Sequence, residues 1–269
     1  MTQPWPLFGL RLRSARLELR PPTDDDLLAL AKVARAGIHP PEEMPFGIPW
    51  TDAPSPRFER EFVQFHWRLR AEWRPDNWRL ELGVWLGGHP VGIQGLGAER
   101  LFVLRTVGTG SWLGREFQGG GIGKEMRAAV LAFAFDDLAA EWATSTAFED
   151  NLASAGVSRA LGYVEDGRFR EAPRGVAREM IRYRLTVEQW RSGPRPPVDV
   201  TGFDEARSMF QEAPERQAGT QQATEEELGA GRQAQPGPDG QPVGPDNIRE
   251  GTVRGTMGGP NQQEGQGQG

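Results

Sequence analysis

A glycine-rich segment near the middle of the chain carries the clearest chemical signal in the sequence. Residues 118–124 read Gln-Gly-Gly-Gly-Ile-Gly-Lys, and a helical pattern begins within them. Glycines let several backbone N–H groups converge on one anion, because no Cβ obstructs the approach. The start of a helix adds N–H groups without intrahelical partners and the positive end of the helix dipole. The segment therefore predicts a phosphate-binding turn, with an ordinary glycine-rich helix cap as the alternative.

Two nucleotide-binding patterns match this segment only in part. A Walker A loop needs G-x-x-x-x-G-K-[ST]; Gly123 and Lys124 match its end, but Gln118 replaces the first glycine. Glu125 also replaces the hydroxyl residue that would bind magnesium. The dinucleotide pattern G-x-G-x-x-G, begun at Gly119, reaches lysine instead of its last glycine, and no early βαβ unit with an acidic ribose ligand accompanies it. Nucleotide binding is therefore kept only as the last of three hypotheses for the function, after the two that are described below.

A second motif, Asn151-Leu152-Ala153-Ser154, follows the next predicted strand, and Leu161-Gly162-Tyr163 comes shortly after it. The two motifs, in this order, resemble those of the GNAT acetyltransferases, especially the branch similar to ribosomal-protein N-terminal acetyltransferases. The coenzyme A motif of that family, [QR]-x-x-G-x-[GA], is matched without a gap by 118–123, and its N-x-x-S motif by 151–154. The family usually has Lys-x-Gly-Phe/Tyr where this chain has Ala160-Leu161-Gly162-Tyr163. The resemblance covers about residues 14–188.

The resemblance implies a GNAT fold, which is an α/β fold with a mixed, mostly antiparallel twisted sheet and flanking helices. It implies an N-acyltransferase that uses acetyl-CoA, with succinyl-CoA as the alternative donor. The amides of 118–124 would hold the coenzyme A pyrophosphate, and the backbone around Trp112 and Leu113 would pair with the pantetheine arm. The coenzyme A ligands that it implies are Trp112, Leu113, Gln118, Gly119, Gly120, Gly121, Ile122, Gly123, Lys124 and Asn151.

Catalysis of acyl transfer to an amine needs a neutral amine, a stabilised oxyanion and a proton for the leaving thiolate. The chain has no cysteine, which excludes a thiol acyl-enzyme, disulfides and thiolate metal sites, so direct attack in a ternary complex is expected. The resemblance implies an oxyanion-binding amide near Leu113 and makes Ser154 the proton donor to the coenzyme A sulfur. The alternative for Ser154 is a structural role in the first helical turn after Asn151. No metal is expected.

No general base stands out in the sequence. The six candidates are His39, Glu42, Glu43, Asp52, His66 and Glu99. The aromatic and proline-rich loop 42–52 is interpreted as a wall of the acceptor and acyl pocket, in which Phe46 or Trp50 would contact the acyl chain. Buried packing over the sheet is the alternative for this loop. A succinyl carboxylate would need cationic partners, for which the sequence offers His39, Arg57, His66 and Arg68.

Hydrophobic periodicity around the motifs predicts the elements that position them. A strand at 105–113 leads into the glycine segment, a helix at 121–138 leaves it, and a strand at 141–148 precedes Asn151. The other predicted strands are 16–20, 78–86, 91–97, 163–168 and 176–186, and the other predicted helices are 24–36, 57–73 and 151–161. The order β-α-α-β-β-β-α-β-α-β-β predicts a mixed α/β sheet.

Composition bounds the domain and its partners. All nine Trp lie between Trp5 and Trp190, and no aromatic residue follows Phe210. We therefore expect a globular acyltransferase domain at 8–191 and a disordered Gly/Gln/Pro/Glu-rich tail at 192–269, with a short helix around 203–210. Nine acidic and four basic residues at 211–269 account for −5 of the net charge of −6, so the body is nearly neutral and a nucleic-acid partner is not expected.

Neither a signal peptide nor a bilayer-spanning apolar stretch is apparent, which predicts a cytoplasmic protein without a membrane partner. The expected partners are acyl-CoA and an amine acceptor, which could be a protein N-terminus, a lysine or a small molecule. A homodimer stays open. The main alternative function is a catalytically silent acyl-CoA sensor, because no general base is evident.

Overall fold

A nine-stranded sheet forms the centre of the computed structural model, which describes residues 4–210. Its order is β7-β8-β6-β5-β4-β3-β2-β1-β9, and every neighbouring pair is antiparallel except β5 and β6. The strands are β1 Arg11–Arg13, β2 Leu17–Arg20, β3 Asn77–Leu86, β4 His89–Glu99, β5 Thr106–Leu113, β6 Trp142–Phe148, β7 Val164–Glu171, β8 Arg178–Thr186 and β9 Asp199–Thr201. The predicted mixed, mostly antiparallel α/β sheet is confirmed.

Within residues 4–210, seven helices accompany the sheet: α1 Asp24–Ala36, α2 Arg57–Ala71, α3 Leu101–Leu104, α4 Ile122–Ala132, α5 Leu152–Ala160, α6 Val187–Ser192 and α7 Phe203–Ala206. Thr23 and Asp26 form the capping box that starts α1, in which each side chain accepts from the other residue's backbone N–H. The long helix predicted at 121–138 is α-helical only to Ala132. It continues as a π-helical turn, Phe133–Asp137.

Two apolar layers cover the two faces of the sheet. On one face, α1 and α2 bury Leu27, Leu30 and Phe62 together with Ile93 of β4. On the other face, the apolar side of α4 packs against the sheet in the larger core. Members of that core include Met126, Val130, Val107, Leu113 and Tyr183. The layers fix α4 relative to β5, which places the start of the helix beside the end of the strand.

The sheet and the core continue past the expected domain boundary at residue 191. β9 pairs with β1 at the sheet edge, and Phe203 and Phe210 are buried in the larger core. The Trp73 indole N–H also donates to the Met209 carbonyl, at 2.8 Å. The few apolar residues after the Pro-rich segment suffice to anchor it because they meet aromatic rings in the core. The predicted helix at 203–210 is found as α7 and a following 3₁₀ turn, while the rest of the predicted tail, 211–269, lies outside the described residues.

Candidate active site

A wedge opens in the sheet where β5 and β6 separate. Their parallel ladder pairs 106–109 with 142–145, and in the described part of the chain it ends there. β5 continues to Leu113 and β6 to Phe148, so their last residues border an opening between the two strands. A strand edge without a neighbour presents backbone N–H and C=O groups that an extended ligand can pair with.

The direction of the backbone decides which groups of β5 face this wedge. A side chain at Gly92 of β4 would collide with the carbonyl oxygen of Trp112, so that carbonyl points toward β4. Backbone groups alternate in direction along a strand, so those of Ser111 and Leu113 point into the wedge. Consistently, the Leu113 carbonyl accepts a hydrogen bond from Gln118 Nε2, at 2.9 Å. Of the two residues predicted to pair with the pantetheine arm, Leu113 therefore faces the wedge, whereas the backbone groups of Trp112 point toward β4; Ser111 faces the wedge as well.

The indole of Trp112 lies on the opposite side of β5, in the α1/α2 layer. Its ring centroid is 6.0 Å from that of Trp50 and 6.2 Å from that of Phe62. Trp50 is buried there and stacks on Phe58 at 5.7 Å. Trp50 is therefore packed in the core, which is the alternative interpretation of the loop 42–52. Phe46, from the same loop, lines the cleft described below.

The glycine turn connects β5 to α4. Gly119 and Gly121 have φ of 78° and 79°, in the left-handed region that side chains disfavour. A Cβ at Gly119 or Gly120 would meet nothing within 4 Å, so the turn presents bare backbone. The first amides of α4 point toward the turn and have no intrahelical acceptor. They belong to Ile122, whose side chain is buried in the core, and to Gly123 and Lys124, both of which line the cleft.

Side chains brace the glycine turn from two directions. Gln118 Nε2 donates to the carbonyls of Ile38, at 2.8 Å, and Leu113, so the Gln118 side chain joins the segment that follows α1 to the end of β5. On the other side, Glu125 accepts from Ser14 Oγ at 2.7 Å and from Arg16 Nε at 2.7 Å. Burial opposes ionisation of Glu125, but these hydrogen bonds hold its pKa below the usual value. Arg16 Nη1 also donates to the Gly120 carbonyl, at 3.2 Å, which brings a cation beside the turn.

The Asn151 motif starts α5 at the other side of the wedge. Asn151 is the N-cap, and its Oδ1 accepts from the Ser154 N–H at 3.0 Å. The cap uses the backbone of Ser154, whereas the Ser154 hydroxyl has no hydrogen-bond partner among the described residues. Both side chains are partly exposed and line the cleft. The structural role that the sequence suggested for this pair is thus filled by the Asn151 oxygen, which leaves the Ser154 hydroxyl available for other contacts.

Arg127 of α4 lies where β5 and β6 part, and it is only 3% exposed. Its Nη1 donates to Ser145 Oγ of β6 and Ser158 Oγ of α5, both at 3.1 Å, and its Nη2 donates to Ser111 Oγ of β5 at 3.3 Å. Arg127 forms no ion pair with a carboxylate of residues 4–210, and its Nε has no partner there. Burial lowers the pKa of Arg127, although arginine stays protonated in proteins. Sequence reasoning missed this residue, because its partners come from three separate elements.

These groups line one cleft with a volume of about 1030 Å³. One end contains the glycine turn, β5 and the start of α5. The other end is bordered by the loop 38–47 and by residues 173–180. Two ion pairs tie the chain together around this second end. Arg174 donates from Nε and Nη2 to the two carboxylate oxygens of Asp52, at 2.7 Å, and Arg178 Nη2 donates to both oxygens of Asp150, at 2.6–2.7 Å.

The structure separates the six candidates for a general base. His66 is buried in the small cavity beneath α2, away from the cleft, and burial lowers its pKa to about 3. Hydrogen bonds from Arg174 lower the pKa of Asp52, and Glu99 ends β4 outside the cleft. His39 lines the cleft, but its Nδ1 and Nε2 lie 2.8 Å from the Pro40 carbonyl and Thr51 Oγ1. Of the six candidates, only Glu42 and Glu43 have an exposed carboxylate at the cleft.

The predicted partners of a succinyl carboxylate are not brought together. Only His39 of the four reaches the cleft. Arg57 pairs with Glu61 on α2, and Arg68 lies over the Phe65 ring. The cations that do line the cleft are Lys124, Arg127, Arg174 and Arg178.

A comparison with protein families matches residues 16–164 to the acetyltransferase (GNAT) domain. Among solved structures, RimJ of Mycobacterium smegmatis in complex with CoA-disulfide is 21% identical, with a TM-score of 0.54, covering 74% of this chain and 92% of that one. RimL, a ribosomal L7/L12 alpha-N-protein acetyltransferase in complex with coenzyme A, is 16% identical, with a TM-score of 0.53 and coverages of 65% and 97%. A GNAT-family acetyltransferase from Bacillus anthracis is 16% identical, with a TM-score of 0.50 and coverages of 66% and 99%.

A parallel strand pair that opens beside a glycine turn and a helix start is the arrangement expected of a coenzyme A-dependent acyltransferase with the matched domain. The chain belongs to the GNAT acetyltransferase family. Membership supports acyl transfer from coenzyme A, and an N-acetyltransferase in general terms. Among residues 4–210, no helix is long and apolar enough to cross a membrane, and no cluster of His, Asp or Glu is arranged to hold a metal ion.

Proposed function

We propose that the protein transfers an acetyl group from acetyl-CoA to a primary amine by direct attack within a ternary complex. The observation that carries this proposal is the shared cleft, in which the glycine turn, the open edge of β5 and the start of α5 face one space. Such a space can hold an acyl-CoA and an acceptor together. Holding both reactants in place supplies much of the rate enhancement of a bimolecular reaction.

Acetyl-CoA would bind along the β5 side of this cleft. The amides of the glycine turn and of the first turn of α4 would hold its pyrophosphate, since helix starts favour anions. The exposed side chain of Lys124 adds positive charge there, whereas the guanidinium of Arg16 is paired with Glu125. The amide groups of the pantetheine arm would pair with the backbone of Ser111 and Leu113. The Asn151 Nδ2 group, which the cap does not use, would donate to the arm or to a water.

The reaction would proceed without an acyl-enzyme. The amine nitrogen attacks the thioester carbon, and the C=O electron pair moves to oxygen, where the Ser111 or Leu113 amide would stabilise it. When the intermediate collapses, the C–S bond breaks and the electron pair leaves on sulfur. Ser154 would give that sulfur a proton and recover one from water. Glu42 or Glu43, acting directly or through water, would take the proton of the amine.

The second end of the cleft suits a cationic amine. Glu42 and Glu43 are exposed there and make no ion pair with the described residues, whereas Arg174 and Arg178 are each neutralised by an aspartate. The negative charge would attract an ammonium group before it loses its proton. A protein N-terminus, a lysine and a small amine all satisfy this requirement. RimL is a ribosomal L7/L12 alpha-N-protein acetyltransferase, which makes N-terminal peptides the first acceptors to test.

The experiment is a measurement of coenzyme A thiol release with a panel of amines, corrected for hydrolysis of the thioester. The panel contains N-terminal peptides, lysine peptides and small amines, each with acetyl-CoA and with succinyl-CoA. Amine-dependent turnover of acetyl-CoA supports the proposal. Tight binding of both donors without turnover by any amine would instead support the acyl-CoA sensor, and turnover of succinyl-CoA alone would change the donor.

A further inference from the structure

We infer that the Ser111 hydroxyl, oriented by Arg127, donates a hydrogen bond to the thioester oxygen of the acyl donor during attack. The inference rests on the proposed acyl transfer and adds a residue to it. Ser111 lies on β5 beyond the last pair of the ladder with β6, and it lines the cleft. Its backbone N–H already faces the wedge. One residue therefore offers two donors, N–H and Oγ–H, to the same opening.

The hydrogen-bond arrangement leaves the Ser111 proton free. A guanidinium can only donate, so Ser111 Oγ is the acceptor in its 3.3 Å contact with Arg127 Nη2. No acceptor within residues 4–210 takes the Ser111 hydroxyl proton. Ser158, another partner of Arg127, differs because its hydroxyl donates to the Ser154 carbonyl at 3.2 Å. The Ser111 proton is thus available to a ligand in the cleft.

The charge of Arg127 favours negative charge at this position. A buried cation without a carboxylate is costly, because hydroxyls replace its hydration only in part. During attack, electron density moves to the thioester oxygen and supplies the missing negative charge. An interaction that strengthens only as this charge forms lowers the barrier without tightening the binding of the substrate. Arg127 is a positioning residue in this scheme, acting through Ser111.

The expected course of the coenzyme brings the thioester to Ser111. The pyrophosphate at the glycine turn lies next to Leu113, at the open end of the wedge. From Leu113 to Ser111 the strand covers about 7 Å toward the closed end. The pantetheine arm follows the strand in that direction, so its sulfur and acyl group lie deepest in the wedge. Ser111 keeps its own proton throughout, while the C–N bond forms and the C–S bond breaks.

The test is Ser111→Ala in the full chain, with acetyl-CoA and the best amine of the panel. We expect kcat to fall about 10²–10³-fold, as for loss of one oxyanion donor, with coenzyme A affinity and Tm close to wild type. Ser145→Ala is the matched control. It removes the same kind of Arg127 contact, at 3.1 Å, from a serine that is 4% exposed and does not line the cleft. It should keep kcat within a few-fold of wild type.

A second donor separates a catalytic role from a structural one. The carbonyl of fluoroacetyl-CoA is more electrophilic and needs less help, so Ser111→Ala should lose less kcat with it than with acetyl-CoA. Equal losses with both donors, or equal effects of Ser145→Ala, would overturn the inference. Weaker coenzyme A binding with unchanged kcat would do so as well, since Ser111 would then only bind the arm. Wild-type turnover with the panel keeps the proposed function intact in each of these cases, whereas an inactive wild type would end both.

Discussion

Gly121 lies where the pyrophosphate of coenzyme A is proposed to bind, and that site requires a residue without a side chain. It is the N-cap of α4 with φ of 79°, and a Cβ there would lie 3.7 Å from Arg16 Nη2. Gly121→Glu would add a strained side chain and a negative charge where the pyrophosphate is proposed to bind. We expect coenzyme A affinity to fall at least tenfold, or about 1.4 kcal/mol, by isothermal titration calorimetry.

Gly88 provides the matched control for that substitution. It has φ of 82° in the turn between β3 and β4, and a Cβ there would meet nothing within 4 Å. Gly88→Glu therefore adds the same charge and a similar backbone strain away from the cleft. Coenzyme A affinity should stay at the wild-type value. Equal losses in both variants would trace the effect to strain or net charge, and the proposed pyrophosphate site would lose its support.

Alanine substitutions of Asn151 and Ser154 should affect different properties, the first the stability of the protein and the second its turnover. Asn151→Ala removes the cap of α5 and should lower the free energy of unfolding by about 0.5–2 kcal/mol. Ser154→Ala keeps the capping N–H, so its stability should change little. If Ser154 protonates the departing thiolate, its kcat should fall by up to roughly 10²–10⁴-fold while coenzyme A affinity is kept. Denaturant unfolding and steady-state kinetics measure the two effects, and wild-type kcat in Ser154→Ala would remove its catalytic role.

Sequence motifs located the backbone parts of the site better than its side-chain network. The glycine turn and the Asn151 cap are local structures, so short spacings suffice to predict them. Arg127 reads in the sequence as one residue of an amphipathic helix. Its importance comes from hydroxyls that β5, β6 and α5 bring together. No short-range pattern encodes that meeting.

Among the elements, β3 and α2 each carry a buried group with a shifted pKa, Glu81 and His66. Glu81 of β3 and His66 of α2 line a cavity of about 30 Å³, together with Arg70 and Arg79. Burial raises the pKa of Glu81 to about 7, against the effect of Arg79 at 3.3 Å. The folded protein then binds a proton more readily than the unfolded chain. This group therefore makes stability fall as the pH rises from about 4.5 through about 7.

Glu81→Gln removes this titration. The quantity to compare is the free energy of unfolding of the variant minus that of wild type. This difference should be larger at pH 8 than at pH 5, by up to roughly 3 kcal/mol. His66 has the opposite sign, since its pKa of about 3 makes stability fall as the pH drops below 6.5. For His66→Gln, the free energy of unfolding relative to wild type should accordingly be larger at pH 5 than at pH 8. Denaturant unfolding at both pH values measures each difference. A Glu81→Gln effect that is equal at pH 5 and pH 8 would contradict the raised pKa.

Element prediction succeeded where apolar periodicity was long and failed where tertiary pairing decides. The helices α1 and α2 and the hairpin β3–β4 lie within a few residues of their predicted bounds. The strands β1 and β9 have three residues each, and their outward positions are charged or polar. Nothing local marks them as strands, because β1 is held by pairing with β2 and β9, and β9 by pairing with β1.

At the scale of the whole molecule, the last described segment completes the core. Phe203 and Phe210 are 6% and 1% exposed, and each lies edge-on to Phe133, with ring centroids 5.1 and 6.0 Å away. Low aromatic content after Trp190 predicted a tail from residue 192. Two well-placed rings outweigh that composition, because burying a phenylalanine stabilises a fold by several kcal/mol irrespective of its neighbours in sequence.

Two truncated chains test where the fold ends. A chain that stops after Ser192 lacks β9, Phe203 and Phe210, so it exposes the rings that they cover. We expect its Tm to fall by about 10 °C or more, since truncating one buried phenylalanine already costs about 3–5 kcal/mol. A chain that stops after Phe210 keeps all of these contacts and should match the full chain in Tm and coenzyme A affinity. Scanning calorimetry and titration compare the three, and an unchanged Tm for the shorter chain would restore the boundary near residue 191.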